Sequence, residues 1–357
     1  MILPDILAAR RRIAPYVLRT PLRRSEWLSH ETGGEVFLKL ESLQPTNSFK
    51  IRGAFNAAIH LSSGLGPLDF ALRASFKAAG LRSSSFVQGR RSSAEAPEAS
   101  RRRLHPAQLT PIITASAGNH GRALAYTGER LGFRPIVYAP ETAPRSKLDA
   151  IRAHGADLRL ARDYDEAERQ AKAHAASGAG VWLSPFSHPD IVSGAGTIGL
   201  EILEDLPAVD AVIVPVGGGG LIGGMGSAVK AIAPHAEVVG VEVEASHPFT
   251  DGLAAGRIVP IEVGPSLADG LVGNLDPDTI TFDIARRVVD RFVLVSEDDL
   301  VAGLRGLVAH EHLIAEGAGI AAIAAVLAGT IDVRGRTAAV MLSGANIDSE
   351  RLKGVLS

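Results

Sequence analysis

The sequence predicts an α/β protein of about two domains, with parallel sheets covered on both faces by helices. Three observations carry that expectation. Apolar runs of strand length alternate with Ala-rich stretches of helical length along most of the chain. The runs are continuously apolar, as strands buried on both faces of a parallel sheet must be. The Gly-rich turns follow such runs, where sheets of this kind bind their ligands.

Taken in order, Glu35 to Leu40 reads as a strand and Arg52 to His60 as a helix. From Ile112 the alternation becomes regular, with strands at Pro135–Tyr138, Val181–Leu183, Ala211–Val214, Val238–Val241 and Ala338–Leu342. Leu61 to Thr110 breaks the rhythm: it holds nine serines, one valine and no isoleucine, and includes Arg101-Arg102-Arg103. Its composition predicts a poorly ordered surface insertion, with too few apolar side chains to build a core. A nucleic-acid patch is not expected there, because no aromatic residues are interleaved with the arginines.

The 357 residues carry a net charge of −2, which gives no reason to expect nucleic acid or an anionic membrane as a partner. No apolar run approaches the roughly 20 residues of a membrane span, and the N-terminus lacks a signal-peptide core. A soluble cytoplasmic protein is therefore expected. Cysteine is absent, which removes disulfides, thiolate metal sites and a cysteine nucleophile. Lysine is scarce, with seven residues against thirty arginines, so any amine chemistry has few candidates.

Four segments carry chemistry. In Gln44-Pro45-Thr46-Asn47-Ser48-Phe49-Lys50 a strand leads through a turn to a lysine at a helix start. The helix N-terminus disfavours the charged amine there, although a lysine in that place is ordinarily a solvated surface residue. Ser75-Phe76-Lys77 repeats the tripeptide without the preceding strand, so Lys77 is read as a decoy. In Thr114-Ala115-Ser116-Ala117-Gly118-Asn119-His120-Gly121 small residues let backbone amides converge on an anion. An ordinary Ser/Asn helix cap explains that segment equally well.

Val214-Pro215-Val216-Gly217-Gly218-Gly219-Gly220-Leu221-Ile222-Gly223 reads as strand, turn and helix, and its glycines open backbone amides at the helix start, which suits a phosphate. Gly218, Gly220 and Gly223 also satisfy G-x-G-x-x-G, with Glu242 about 20 residues on, so a nicotinamide oxidoreductase is a competing reading. Finally, Ser343 in Leu342-Ser343-Gly344-Ala345-Asn346 ends the last strand, where it either faces a ligand or forms a turn.

In order and wording these segments resemble the fold-type II pyridoxal-phosphate (PLP) enzymes, within them the serine/threonine dehydratase and serine racemase family. The resemblance covers nearly the whole chain except 61–110, and demotes the nicotinamide reading. It implies a two-domain, tryptophan-synthase-β-like fold, with 1–60 and 187–357 as a large cofactor-binding domain and 111–186 as a small substrate-binding domain. It implies that Lys50 carries the cofactor, that Gly217, Gly218, Gly219, Gly220 and Leu221 hold its phosphate, and that Ser343 faces the pyridine nitrogen. Asn119 would bond the ring hydroxyl, Phe49 and Phe186 would flank the ring, and Glu316 resembles the family's acid near the cofactor. Ser116, Ala117, Gly118, Asn119 and His120 would bind the substrate carboxylate.

The implied reaction is elimination of water and then ammonia from a small hydroxy-amino acid, by a homo-oligomer (dimer or tetramer). A serine partner leaves the ring nitrogen unprotonated, which tempers the electron sink and suits rapid loss of a β-hydroxyl. Racemases of the family place a second serine where Ala117 stands, so racemisation is not expected. No metal site is expected either: Pro248 replaces an acid that would join Glu242, and His310-Glu311-His312 reads as a solvated helix face. Because the insertion lies between two ligand-binding turns, a PLP-binding protein with impaired catalysis is the alternative.

Overall fold

A computed structural model describes residues 3–62 and 110–357 of the chain. Within them, ten strands form two sheets: β1 (Leu22–Arg24), β2 (Glu35–Leu40), β3 (Ile112–Ala115), β4 (Ile136–Pro140), β5 (Asp157–Ala161), β6 (Val181–Trp182), β7 (Ala211–Pro215), β8 (Glu237–Val243), β9 (Arg291–Val295) and β10 (Thr337–Leu342). The larger sheet has the order β1-β2-β10-β7-β8-β9 and the smaller β5-β4-β3-β6. All pairings are parallel except β1 with β2, which is the one departure from the expected all-parallel sheets. The last strand, β10, lies at the middle of the larger sheet, between β2 and β7.

The two faces of the larger sheet explain its apolar runs. Leu38, Ile213, Val239 and Val340 pack on one side against the helix Gly317–Leu327, whose Ile320, Ile323 and Val326 are buried. Val212, Val214 and Met341 pack on the other, against Ile198, Ile202, Met225 and Val229 of the helices Pro189–Asp205 and Gly220–Ile232. Those two helices approach so closely that a Cβ at Gly224 would lie 2.1 Å from the Val192 carbonyl oxygen, so only glycine fits there.

Beneath the helix Lys50–Ser62, which starts two residues before the expected Arg52, lies a buried ionic cluster. Arg52 is 1% exposed and bonds both oxygens of Glu41 (2.7 and 2.8 Å) and both of Glu201 (2.6 and 2.9 Å). Lys39, also fully buried, completes it with a 2.6 Å contact to Glu201. Two cations and two carboxylates thus balance out of water, and each has enough partners to bear burial.

Of His310-Glu311-His312, both histidines are exposed, as expected of a solvated face, and only Glu311 departs from that expectation. Leu307–Glu311 forms a π-helical turn that ends at His312 in the left-handed region. The His310 ring stacks on Trp27 at 5.1 Å. Glu311 turns inward, where it pairs with Arg23 at 2.5 Å and accepts from the Ser25 hydroxyl. The expected elements also omit β1, β5 and β9, all of which lie at sheet edges. Of the expected insertion, Leu61 and Ser62 continue the helix from Lys50, whereas 63–109, with Lys77, lie outside the described residues.

Candidate active site

The lysine turn is held by the far end of the chain. After β2, a short 3-10 turn (Glu41–Leu43) leads to Asn47, whose φ of 54° is a left-handed conformation that asparagine tolerates. The Phe49 amide donates to the Ser343 carbonyl (3.1 Å), the Ala345 amide to the Asn47 carbonyl (2.9 Å), and the Asn346 side chain to the Thr46 carbonyl (2.9 Å). These bonds place Lys50 at the first turn of its helix, opposite the end of β10. Its Nζ donates to the Pro185 carbonyl at 2.8 Å and lies 5.2 Å from the centre of the Phe49 ring. Burial pushes the Lys50 amine down to about 8, with the Glu316 carboxylate partly opposing the shift.

Glu316, 8% exposed, precedes the helix Gly317–Leu327 and is pushed up to about 7 by burial, although a hydrogen bond from the Asn119 side chain holds it lower than burial alone would. Asn119 in turn accepts from the Asn346 side chain at 2.5 Å, and Arg122 donates to the Asn346 oxygen at 2.5 Å. The helix Asn119–Leu131 has Gly118 as its cap, without a side-chain acceptor. Ser116 bonds the Gly118 amide at 3.2 Å, while the amides of Ala117, Asn119, His120 and Gly121 have no acceptor among the described residues. His120 is 2% exposed, and neither ring nitrogen has a partner among those residues. Burial, with Lys50 and His188 nearby, pushes its imidazole down to about 3 and keeps it neutral.

A second helix start lies against Phe186, the neighbour of the Pro185 carbonyl that Lys50 bonds. β7 ends at Pro215, Gly219 turns at φ 80°, and the helix Gly220–Ile232 begins without a side-chain cap. Among the described residues, none of the amides from Gly217 to Ile222 has an acceptor. A Cβ at Gly218 would lie 2.3 Å from the Phe186 ring, and one at Gly219 would lie 2.4 Å from Phe249, so the turn closes only with glycine. Leu221 is 6% exposed and packs in the core, leaving its amide at the turn. Thr281 donates to the Gly218 carbonyl at 2.8 Å.

The expected residues therefore gather at one place. Lys50 reaches the tetraglycine turn through Pro185 and Phe186, and the Asn119 turn through Glu316. Ser343 is buried beside Phe49. Free amides at two helix starts, a buried imidazole without a partner and an amine of lowered basicity fit a group that carries a phosphate and reacts with an amine. Asn346, Arg122, Thr281 and the Pro185 carbonyl join the site from outside the expected set. Asn346 stands in the Ser-Gly-Ala-Asn motif, but a motif does not show side-chain partners. Glu242 is not a ribose ligand: its buried carboxylate accepts from the amides of Phe249 and Thr250 (both 2.9 Å) and from the Thr250 hydroxyl (2.7 Å), so it caps the helix Pro248–Ala255.

The sequence profile of the pyridoxal-phosphate dependent enzyme family matches residues 13–344. An L-threonine ammonia-lyase of Thermotoga maritima is 36% identical over 356 residues, covering 99% of this chain and 78% of that protein. A catabolic L-threonine dehydratase of Escherichia coli K12 is 33% identical over 354 residues, covering 98% and 94%. Among solved structures, the processed form of threonine deaminase isoform 2 from Solanum lycopersicum is similar with a TM-score of 0.79 and 31% identity, covering 99% of this chain and 91% of that one. With the site geometry and these matches in agreement, the chain belongs to the family of pyridoxal-phosphate dependent enzymes of fold type II.

Proposed function

We propose that the protein is a carbon–nitrogen lyase that converts a small L-3-hydroxy amino acid, such as L-threonine or L-serine, to a 2-oxo acid and ammonia. The observation that carries this reading is the amine of lowered basicity, Lys50, linked to two helix starts whose amides lack acceptors among the described residues. The names of the threonine ammonia-lyase and dehydratase relatives support it.

In this reading Lys50 is the amine that holds the cofactor. The amides of Gly217 to Leu221 hold its phosphate, Ser343 faces the ring nitrogen, Asn119 the ring hydroxyl, and Phe49 one side of the ring. When bound, the cofactor supplies a sink for the electron pair left at the substrate Cα. Ser116 to His120 hold the substrate carboxylate with backbone amides, and neutral His120 can donate one further hydrogen bond. Lys50, with a basicity near 8, takes the α-proton at neutral to mildly basic pH and passes it on. Glu316, which titrates near 7, stands beside Asn119 as a group able to hold a proton while the hydroxyl leaves as water. The released enamine takes up water and breaks down to the 2-oxo acid and ammonia.

Residues 1–60 with 187–357 are proposed as the cofactor-binding domain and 111–186 as the substrate-binding domain, supported by the segregation of their strands into two sheets. A cytoplasmic homodimer or homotetramer belongs to the same proposal. No helix among the described residues is long and apolar enough to cross a membrane. The test is a 2-oxo-acid and ammonia screen over hydroxy-amino acids, with borohydride reduction and peptide mapping of the same preparation. Ammonia release with a pyridoxyl label on Lys50 is expected. A label on Lys77 would overturn the assignment, and cofactor absorbance without ammonia release would favour a binding protein with impaired catalysis.

A further inference from the structure

We infer that the substrate cavity receives a second carboxylate at Arg122, so that a dicarboxylic substrate of the 3-hydroxyaspartate type is preferred over threonine. The inference rests on the dehydratase reading above and names the substrate class of that site.

A cavity of about 320 Å³ opens beside Ala117, Gly118 and Asn119, with Arg122, Lys147, Asp269, Glu316 and Asp348 as its charged lining. Four of these five groups are answered by protein. Lys147 pairs with Asp269 at 2.7 Å, and Asp269 also meets Arg351 at 3.3 Å. Asp348 accepts from the Ser146 hydroxyl and from the Glu350 amide, each at 3.0 Å. Glu316 accepts from Asn119 and is held partly protonated near neutral pH by its burial. Arg122 is the exception. It feels the Glu316 carboxylate only at a distance, and among the described residues it forms no ion pair. Its hydrogen bond goes to the neutral Asn346 oxygen, and its Nε is buried without a partner.

A half-buried guanidinium without a paired anion is costly, and an anion entering the cavity removes that cost. The substrate α-carboxylate has a receptor already, in the free amides of Ala117, Asn119, His120 and Gly121 at the helix start. Ala117 and Asn119 line the cavity together with Arg122, which is thus a second, separate anion receptor there. Its planar fork suits a carboxylate, which can accept two parallel hydrogen bonds. Threonine would leave the guanidinium unanswered, whereas a β-carboxylate would answer it.

The experiment compares kcat/KM of the holoenzyme for L-threo-3-hydroxyaspartate and L-threonine, in the unmodified protein, Arg122→Lys and Arg122→Gln, with cofactor absorbance recorded for each. Calorimetry on the unmodified holoenzyme compares the binding of L-aspartate with that of L-2-aminobutyrate. A preference of tenfold or more for the dicarboxylate is expected in both measurements, with the kinetic ratio falling at least tenfold in Arg122→Gln and less in Arg122→Lys. Ammonia from threonine but not from hydroxyaspartate, or a ratio unchanged in Arg122→Gln, overturns the role of Arg122 and leaves the dehydratase reading standing. No ammonia from either substrate, with L-aspartate still bound tenfold more tightly, overturns the dehydratase reading and keeps the anion receptor. Equal binding of L-aspartate and L-2-aminobutyrate overturns the receptor itself.

Discussion

Replacing Arg52 by methionine removes one cation from a buried cluster that is otherwise neutral. Arg52 and Lys39 balance Glu41 and Glu201, so the variant leaves one net negative charge out of water. Glu41 loses two bonds and keeps those from Thr20 (2.6 Å) and Gln44 (3.2 Å), while Glu201 keeps Lys39 (2.6 Å). Breaking a buried pair in this way costs about 3–5 kcal/mol. The pH dependence gives a sharper test. In the native cluster burial pushes Glu41 up, but Arg52, helped by Thr20 and Lys39, more than offsets this and leaves its carboxyl below the ordinary range. Such a group stabilises the fold above its unfolded-state pKa, and that contribution fades as pH falls through the lower folded value. Without Arg52, burial dominates and Glu41 takes up a proton more readily than in the unfolded chain, so acid relieves the variant. The deficit in urea denaturation should therefore be largest near about pH 8 and shrink toward about pH 5. A loss below about 1 kcal/mol, or a deficit that grows on acidification, would refute the reasoning.

Gly218→Ala places a methyl group 2.3 Å from the Phe186 ring, so the ring or the turn must move, and cofactor affinity should fall at least tenfold in a fluorescence titration of the apoprotein. An unchanged affinity would show that the turn does not hold the cofactor. Ala117→Ser supplies a proton donor where the native methyl cannot, so the ratio of D-isomer to 2-oxo acid should rise when L-serine is the substrate; chiral chromatography beside a keto-acid assay reads it. Rapid D-serine formation by the unmodified protein would count against this.

The central strands are legible in the sequence because apolar residues fill both faces: β7 is buried along its length and β8 nearly so. β5 is not, because an edge strand needs only one covered side, and its Arg159 and Leu160 are exposed. β9 begins with Arg291 and is only partly buried, and β1 has just three residues. At the site, the glycines are readable because the close approach at the turn requires them, whereas the lysine stands out only through the resemblance, since a lysine at a helix start otherwise reads as solvated. The roles of Asn346 and Arg122 are not, since their partners come from segments more than 200 residues away. Glu41, Lys39, Arg52 and Glu201 look like solvated charges in the sequence, and only the tertiary fold brings their opposite signs together.

The central place of β10 also sets an order of events during synthesis. Strands β2 and β7 are made before β10, but they cannot take their places in the sheet until the strand that separates them has been made. The Ser343 and Ala345 bonds that seat the lysine turn arrive with the same segment. A nascent chain therefore carries Lys50 for most of translation without the finished turn around it. If Lys50 holds the cofactor as proposed, cofactor capture becomes a closing step of assembly, and chains lacking β10 should present Lys50 as an ordinary amine.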